Sequence, residues 1–512
     1  MNGPGIGGWP ARRARMNPDR IALASDDERL TYAELAVRVE TTGDLLRELG
    51  VSRGERVAYL GPNSIDTFVC FFATARVGAV FVSLNTRLAG PEIGYMLDDS
   101  GSLVLIHGPE CADLAAAAGP AAHGVKHVLA VADLRRRTVE GTHTPSWPDQ
   151  LVDPDDPALI LYTSGTTGRP KGAVLTHGNI TWNTINQLTH IDVLSTDVAL
   201  CVAPLFHVTG LGQVSMPTLL KGGTVVVVPK FDAGGFLGTI ERLGATSFSA
   251  VPTMLQMMCD HPSWESTDLS SLRYVLYGGS PIDARVAEAW LSRGVVLQQG
   301  YGMTEAAPGV FMALPEGAPA RPVSAGVPHF FTDVLLEDPD GNQVSGPGRG
   351  ELLVRGPHVF SGYWNRPEDT AKALTDDGWY RSGDVVRVDD DGWAYIVDRV
   401  KDLIISGGEN IYPAEVEAVI AELSDVVAAA VVAVPDNRWG EVGCAYVQLR
   451  SGSRLDEDQV RAHLEQRLAR YKIPRYFELL DELPRNATGK VLRAALRDAA
   501  RRTHPVNESE AP

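Results

Sequence analysis

Between Tyr162 and Gly172 the chain reads YTSGTTGRPKG. Four hydroxyl side chains (Thr163, Ser164, Thr166, Thr167), three glycines (Gly165, Gly168, Gly172) and Lys171 share this one run. It follows an apolar stretch, Ala158–Leu161, with the character of a buried strand. Glycines let backbone N–H groups turn toward an anion and approach it closely. Hydroxyls add neutral donors, and lysine adds charge. The chemistry on offer is phosphate binding. This is not a Walker loop, because Lys171 is followed by glycine rather than by Ser or Thr. A flexible Gly/Thr/Ser surface loop has a similar composition, but an ordered string of eleven is more specific than that.

Six further strings carry candidate chemistry: PLFHVTG (Pro204–Gly210), YGGSP (Tyr277–Pro281), QQGYGMTE (Gln298–Glu305), YRSGD (Tyr380–Asp384), DRVKDLIISGG (Asp398–Gly408) and LPRNATGKVLR (Leu483–Arg493). Taken alone, several of them also suit a plain turn or a solvated surface. In this order they resemble the adenylate-forming superfamily of acyl-CoA synthetases, aryl-CoA ligases, peptide-synthetase adenylation domains and beetle luciferases. The resemblance covers nearly the whole chain.

The resemblance implies a role for each string. Thr163, Ser164, Gly165, Thr166, Thr167, Gly168 and Lys171 would hold the phosphates of ATP. Gly279, Ser280 and Pro281 would back the adenine, with Gln299, Gly300, Gly302 and Met303 along the nucleotide and Tyr301 on its ring. Thr304 would stand near the α-phosphate and Glu305 on Mg²⁺, where a hard cation takes carboxylate oxygen and completes its shell with water and phosphate. Gly302, without a side chain, would leave room for a carboxylate. Asp384 would accept both ribose hydroxyls, and Arg399 would make a second ribose or phosphate contact. Lys401 would be the hinge, and Gly407 and Gly408 would line the tunnel for the thiol arm of CoA. Lys490 would bridge the attacking carboxylate and the α-phosphate. His207 would gate an acyl pocket formed with Val208, Gly210, Val251, Tyr277, Gly278 and Gly302.

The implied reaction has two steps. A carboxylate displaces pyrophosphate from ATP to give acyl-AMP, and a thiol then displaces AMP. The small C-terminal domain rotates between them, withdrawing Lys490 and bringing in Gly408. Small and apolar residues dominate the candidate pocket: Val208, Gly210, Val251, Gly278, Gly302, Met303 and Ala307. That composition points to a medium- or long-chain fatty acid or an aryl acid. No acid lies between Cys201 and Leu220 to hold an α-ammonium group, and Arg285 reads as a surface helix residue. No insertion stands out between Arg349 and Asp398, which favours free CoA over the phosphopantetheine of an acyl carrier protein. Loading of such a carrier, a non-catalytic nucleotide-binding protein and a luciferase-like oxygenase are the alternatives.

These strings must be positioned by elements. Short apolar runs (Arg56–Leu60, Ala79–Val82, Leu103–His107, Val128–Val131, Thr224–Val228, Val295–Gln298) alternate with helical patterns (Thr31–Leu49, Asp283–Ser292). That predicts an α/β fold with parallel sheets. Phe68–Val82 reads as a buried helix too short to span a bilayer. Ala112–Arg137 reads as a surface helix and loop around one short strand. LLEDPDGN and VRVDDDGWAYIVD predict hairpins of a small β subdomain with Asp/Gly turns. Strands Ala428–Val434 and Gly443–Leu449 and a helix Asp456–Arg470 follow in a small mobile α+β domain. The expected division is 1–397, a hinge at 398–402, 403–500, and a frayed tail at 501–512.

The 512 residues are 44% hydrophobic and 21% charged, as in a globular enzyme with a large core. The net charge of −18 argues against nucleic acid or an anionic membrane as the main partner. Five scattered cysteines without a CxxC pair predict free thiols in a reducing compartment. The basic run Ala11–Arg15 reads as a solvated helix face, and no apolar signal core or peroxisomal tripeptide is evident. A cytoplasmic location without an integral membrane segment is the expectation.

Overall fold

The computed structural model describes residues 3, 5–119, 122–139, 150–163, 170–279, 282–399, 402–406, 409–437, 439–468, 470–486, 489 and 491–504. The chain divides into two compact units. One comprises Met1–Val334 and Leu353–Arg381, the other Leu335–Leu352 and Ser382–Pro512.

Two large sheets organise the first unit. The nine-stranded sheet runs, in spatial order, Val327–Pro328, Gly309–Met312, Leu297–Gly302, Tyr274–Tyr277, Ser247–Ala250, Val198–Cys201, Thr224–Val227, Ile21–Ala24 and Arg29–Thr31. Its central strands are parallel, and antiparallel pairs close both edges. The seven-stranded sheet runs Gly362–Tyr363, Lys171–Thr176, Pro157–Thr163, Val80–Leu84, Arg56–Leu60, Val104–His107 and His127–Ala130. The antiparallel hairpin Pro157–Thr163/Lys171–Thr176 lies toward one edge of it. Strands covered on both faces read as continuous apolar runs. VFVSL at Val80–Leu84 is buried at every position.

Polar side chains set the helix starts. Thr31 and Glu34 form a reciprocal capping box on helix Tyr32–Glu48, Ser64 caps Ile65–Arg76, and Asp283 caps Ala284–Ser292. Phe68–Val82 is not one helix. The helix ends at Arg76, Gly78 takes φ +73°, and the chain leaves as the strand Val80–Leu84. Arg76 is buried because Glu40 and Asp44 meet its guanidinium at 3.0 and 3.7 Å. Ala112–Ala118, His127–Ala130 and Val131–Val139 fill the Ala-rich region as helix, strand and helix.

The second unit contains both expected hairpins. Leu336 pairs with Val344 and Arg387 with Tyr395. In each turn an aspartate folds back on the backbone: Asp338 Oδ1 accepts from Asp340 and Asn342 N–H, and Asp389 Oδ1 from Asp391 and Trp393 N–H. A further sheet joins Glu409–Ile411, Ile404–Ser406, Gly440–Leu449, Val426–Asp436 and Tyr476–Leu480. Helices Pro413–Ile420 and Glu457–Glu465 cover one face and Arg493–Thr503 the other. The expected helix Asp456–Arg470 is shorter, with Asp456 as its cap and Glu465 as its last residue, because Leu468 and Ile473 turn back onto the core. Arg501–Thr503 extend the last helix instead of opening a frayed tail. Residues 505–512 lie outside the described residues. Among the described residues no helix is long and apolar enough to cross a membrane.

Candidate active site

The phosphate string bridges two antiparallel strands, with Thr163 opposite Lys171. Its centre (Ser164, Gly165, Thr166, Thr167, Gly168) lies outside the described residues; the strand ends are firmly held. Tyr162 Oη donates to the Met96 carbonyl at 3.1 Å and to Asp99 Oδ2 at 2.9 Å. Burial and the Asp99 carboxylate hold this phenol protonated. Tyr95 Oη donates to the Pro170 carbonyl at 3.1 Å, and Arg366 Nη2 meets Asp99 Oδ1 at 2.5 Å. Both ends of the hairpin are thereby fixed to helix Gly90–Ser100. Lys171 Nζ pairs with Asp369 Oδ1 at 2.7 Å and lies 5.5 Å from the Tyr363 ring centre.

The QQGYGMTE string runs along strand Leu297–Gly302 into a single turn, Thr304–Ala306, and returns as Gly309–Met312. Met303 N–H donates to the Pro308 carbonyl at 2.9 Å. A Cβ at Gly302 would stand 1.7 Å from that same oxygen, so the fold requires this glycine whatever room a substrate needs. Gln299 is buried and accepts from Tyr277 Oη at 3.1 Å, Gly300 faces Gln213 Nε2, and the Tyr301 ring packs on Phe311 at 5.7 Å. Thr304 opens the turn that carries Glu305. Glu305 is buried, its carbonyl accepting from Phe360 N–H and its Oε1 from Tyr363 Oη, both at 2.8 Å. Burial and Glu305 keep the Tyr363 and Tyr380 phenols protonated. A buried carboxylate oriented by the Tyr363 hydroxyl suits a hard divalent cation that draws its remaining ligands from phosphate and water.

In the PLFHVTG string, His207 is half-buried, its ring 4.8 Å from Phe206. Its Nε2 has no hydrogen-bond partner among the described residues. Burial, assisted by Arg87, pushes its pKa down to about 4. The chain then enters a π-helical turn, Gly210–Ser215. A Cβ at Gly210 would stand 2.5 Å from the Pro204 carbonyl oxygen, and one at Gly278 2.8 Å from that of Gly300. Val208 lines an apolar cavity of about 10 Å³ with Phe71, Leu211, Gly212, Met216 and Ala307. Tyr277 is buried, its hydroxyl also donating to the Pro322 carbonyl at 2.8 Å, whereas Val251 is 39% exposed ahead of helix Pro252–Cys259. Gly279 is exposed at φ +90°; Ser280 and Pro281 lie outside the described residues.

In the second unit, buried Asp384 stands opposite Arg399 in the ladder, and its N–H donates to Ser382 Oγ at 3.1 Å. The Arg399 side chain, Lys401, Gly407, Gly408 and Lys490 lie outside the described residues. Their neighbours are strongly tied. Asp398 Oδ2 accepts from Ala414 N–H at 3.0 Å, in the first turn of helix Pro413–Ile420, and Asp402 pairs with Arg497 at 2.7 Å. Arg493 grips Glu417 through two contacts of 2.6 Å and donates to the Val431 carbonyl at 2.9 Å. Arg485 bridges to Val491 and donates to the Gly489 carbonyl at 2.9 Å.

Asp99, Tyr363 and Asp369 lie outside every string that the sequence marks. Tyr363 belongs to a two-residue strand, too short for any periodicity, and Asp99 and Asp369 touch the phosphate hairpin only through tertiary contacts.

Comparison with known proteins identifies the family of the chain. Residues 10–364 match the family model of AMP-binding enzymes, and 415–490 that of the AMP-binding enzyme C-terminal domain. A feruloyl-CoA synthase from an Amycolatopsis species is 50% identical over 97% of this chain and 99% of its own. The long-chain-fatty-acid–CoA ligase FadD13 of Mycobacterium tuberculosis is 37% identical over 97% and 99%. The structure of the Bacillus subtilis o-succinylbenzoate CoA synthetase with its acyl-adenylate intermediate superposes with a TM-score of 0.87, at 33% identity over 97% of this chain and 99% of that one.

Proposed function

Because the chain belongs to the AMP-binding enzymes and is an AMP-forming acid–thiol ligase, we propose that it joins an aryl acid of the feruloyl kind to coenzyme A. The observation that carries this reading is the 50% identity to a feruloyl-CoA synthase across nearly the full length of both chains. A medium- or long-chain fatty acid is the second reading, favoured by the 37% identity to FadD13.

In the first step the acid's carboxylate attacks the α-phosphorus of ATP. The P–O bond to pyrophosphate breaks, and acyl-AMP forms. This step needs positioning and charge neutralisation more than covalent help. The hairpin with Lys171 holds the phosphates, Thr304 stands by the α-phosphate, and Lys490 aligns the attacking oxygen. Glu305 would hold Mg²⁺, which would supply charge neutralisation to the phosphates. Tyr301 and Gly279–Pro281 take the adenine, and Asp384 with Arg399 the ribose. In the second step the CoA thiol loses its proton and attacks the acyl carbon, and AMP leaves. The segment 403–500 turns about 398–402, so that Gly407 and Gly408 replace Lys490 at the site of 1–397. Free CoA, rather than a carrier-protein thiol, is the acceptor in this reading.

The test is mass spectrometry of products from the purified chain with ATP, Mg²⁺, CoA and a panel of aryl and fatty acids. Feruloyl-type CoA thioesters in excess over all others are expected. Thioesters of fatty acids alone would overturn the aryl assignment, and acyl-AMP accumulating without thioester would overturn CoA as acceptor.

A further inference from the structure

The chain after the seven-stranded sheet's hairpin strand returns to it briefly. Gly362 pairs with Val174 and Tyr363 with Ala173, along the outer edge of the strand that begins at Lys171. From this edge Tyr363 reaches two groups at once. Its Oη donates to Glu305 Oε1 at 2.8 Å, and its ring lies 5.5 Å from Lys171 Nζ. Phe360 completes the fixture. Its N–H holds the Glu305 carbonyl at 2.8 Å, and its ring packs edge-on against Tyr363 at 4.9 Å and Tyr380 at 5.3 Å. One short segment therefore fixes both the backbone and the carboxylate of the glutamate. Through Tyr363 it also connects that carboxylate to the lysine of the phosphate string and its partner Asp369.

We propose that Tyr363 is a positioning residue for nucleotide activation: its hydroxyl holds the Glu305 carboxylate in the orientation that serves a divalent cation, while its ring face packs against Lys171. The proposal rests on the reading of Glu305 as the cation's carboxylate. A hydroxyl that only filled space would be satisfied by any acceptor. Here it is spent on the buried acid of the turn Thr304–Ala306, while the ring of the same side chain meets the lysine. Partners of this kind orient a ligand and shift metal affinity by about 10- to 100-fold when removed, and a lysine over an aromatic face is held by the ring quadrupole.

Tyr363→Phe keeps the ring, its packing and its place beside Lys171, and deletes only the hydroxyl. The full-length chain is titrated with Mn²⁺ in the presence of α,β-methylene ATP and followed by electron paramagnetic resonance. Tyr363→Phe is expected to weaken Mn²⁺ binding by about 10-fold. It should raise the Mg²⁺ needed for half-maximal acid-dependent pyrophosphate exchange by a similar factor, leaving KM for the acid unchanged. Unchanged Mn²⁺ binding by Tyr363→Phe, with or without a lower unfolding midpoint, would overturn the role of the tyrosine. So would a rise in acid KM equal to the rise in Mg²⁺ demand. A wild-type chain that binds no Mn²⁺ with the analogue overturns the assignment of Glu305 itself, which separates the two failures.

Discussion

Acid should destabilise this protein through histidines that the fold keeps neutral, and His358 gives the cleanest measure. It is fully buried, its Nε2 3.5 Å from Thr332 Oγ1, and burial pushes its pKa from 6.5 down to about 4. His190 and His329 lie in the same region with rings 4.9 Å apart, and both are also lowered by burial. Between pH 6.5 and 4 the unfolded chain binds a proton on residue 358 that the folded chain refuses. Stability is therefore full above the unfolded pKa and is lost as pH falls, until the folded ring titrates as well. For a gap of 6.5 to about 4, the loss is about 2 kcal/mol at pH 5 and about 3 kcal/mol below pH 4. His177, also buried and lowered to about 4, adds a contribution of the same size. The assay is urea unfolding followed by tryptophan fluorescence at pH 7.5 and 5.0, for wild type and His358→Gln. The variant should lose less stability over that interval, by about 2 kcal/mol. Parallel losses in the two proteins would refute the argument that His358 is held neutral by burial.

Three further outcomes are expected. Gly302→Ala places a methyl carbon 1.7 Å from the Pro308 carbonyl oxygen; it should lower stability in urea by at least about 1–3 kcal/mol and abolish acid-dependent pyrophosphate exchange, and an unchanged midpoint would contradict the close approach. Asp99→Ala removes the acceptor shared by Tyr162 and Arg366; with a charge-assisted bond worth about 1.5–3 kcal/mol, KM for ATP should rise about 10-fold or more, and an unaltered KM in steady-state kinetics would show that the hairpin needs no such anchor. Lys490→Ala should abolish pyrophosphate exchange yet still make thioester from supplied acyl-adenylate, and loss of both half-reactions in a quenched-flow assay would end the division of labour between the two steps.

The parallel sheets were legible because their strands are apolar runs of four or five residues, as at Arg56–Leu60 and Thr224–Val227, and because capping side chains such as Thr31 and Asp283 mark the helix starts. Phe68–Val82 misled for the opposite reason. A buried helix and a buried strand are equally apolar, and only the turn at Gly78 separates them. In the candidate site the strings named single positions, but their partners are distant in sequence. Glu305 meets Tyr363, Lys171 meets Asp369, and Tyr162 meets Asp99, and no local pattern announces such pairs. The glycines were legible as special, though not for the full reason. Gly210 and Gly302 are demanded first by carbonyl oxygens of the protein's own backbone.

In the reaction proposed above, the chain makes an acyl-adenylate from an aryl acid before any thiol takes part. Exchange of labelled pyrophosphate into ATP, measured with ferulate and Mg²⁺ and without CoA, tests it most directly. Exchange should depend on ferulate and be lost in Lys490→Ala. Exchange that is absent without CoA, or that proceeds equally without the acid, would contradict it.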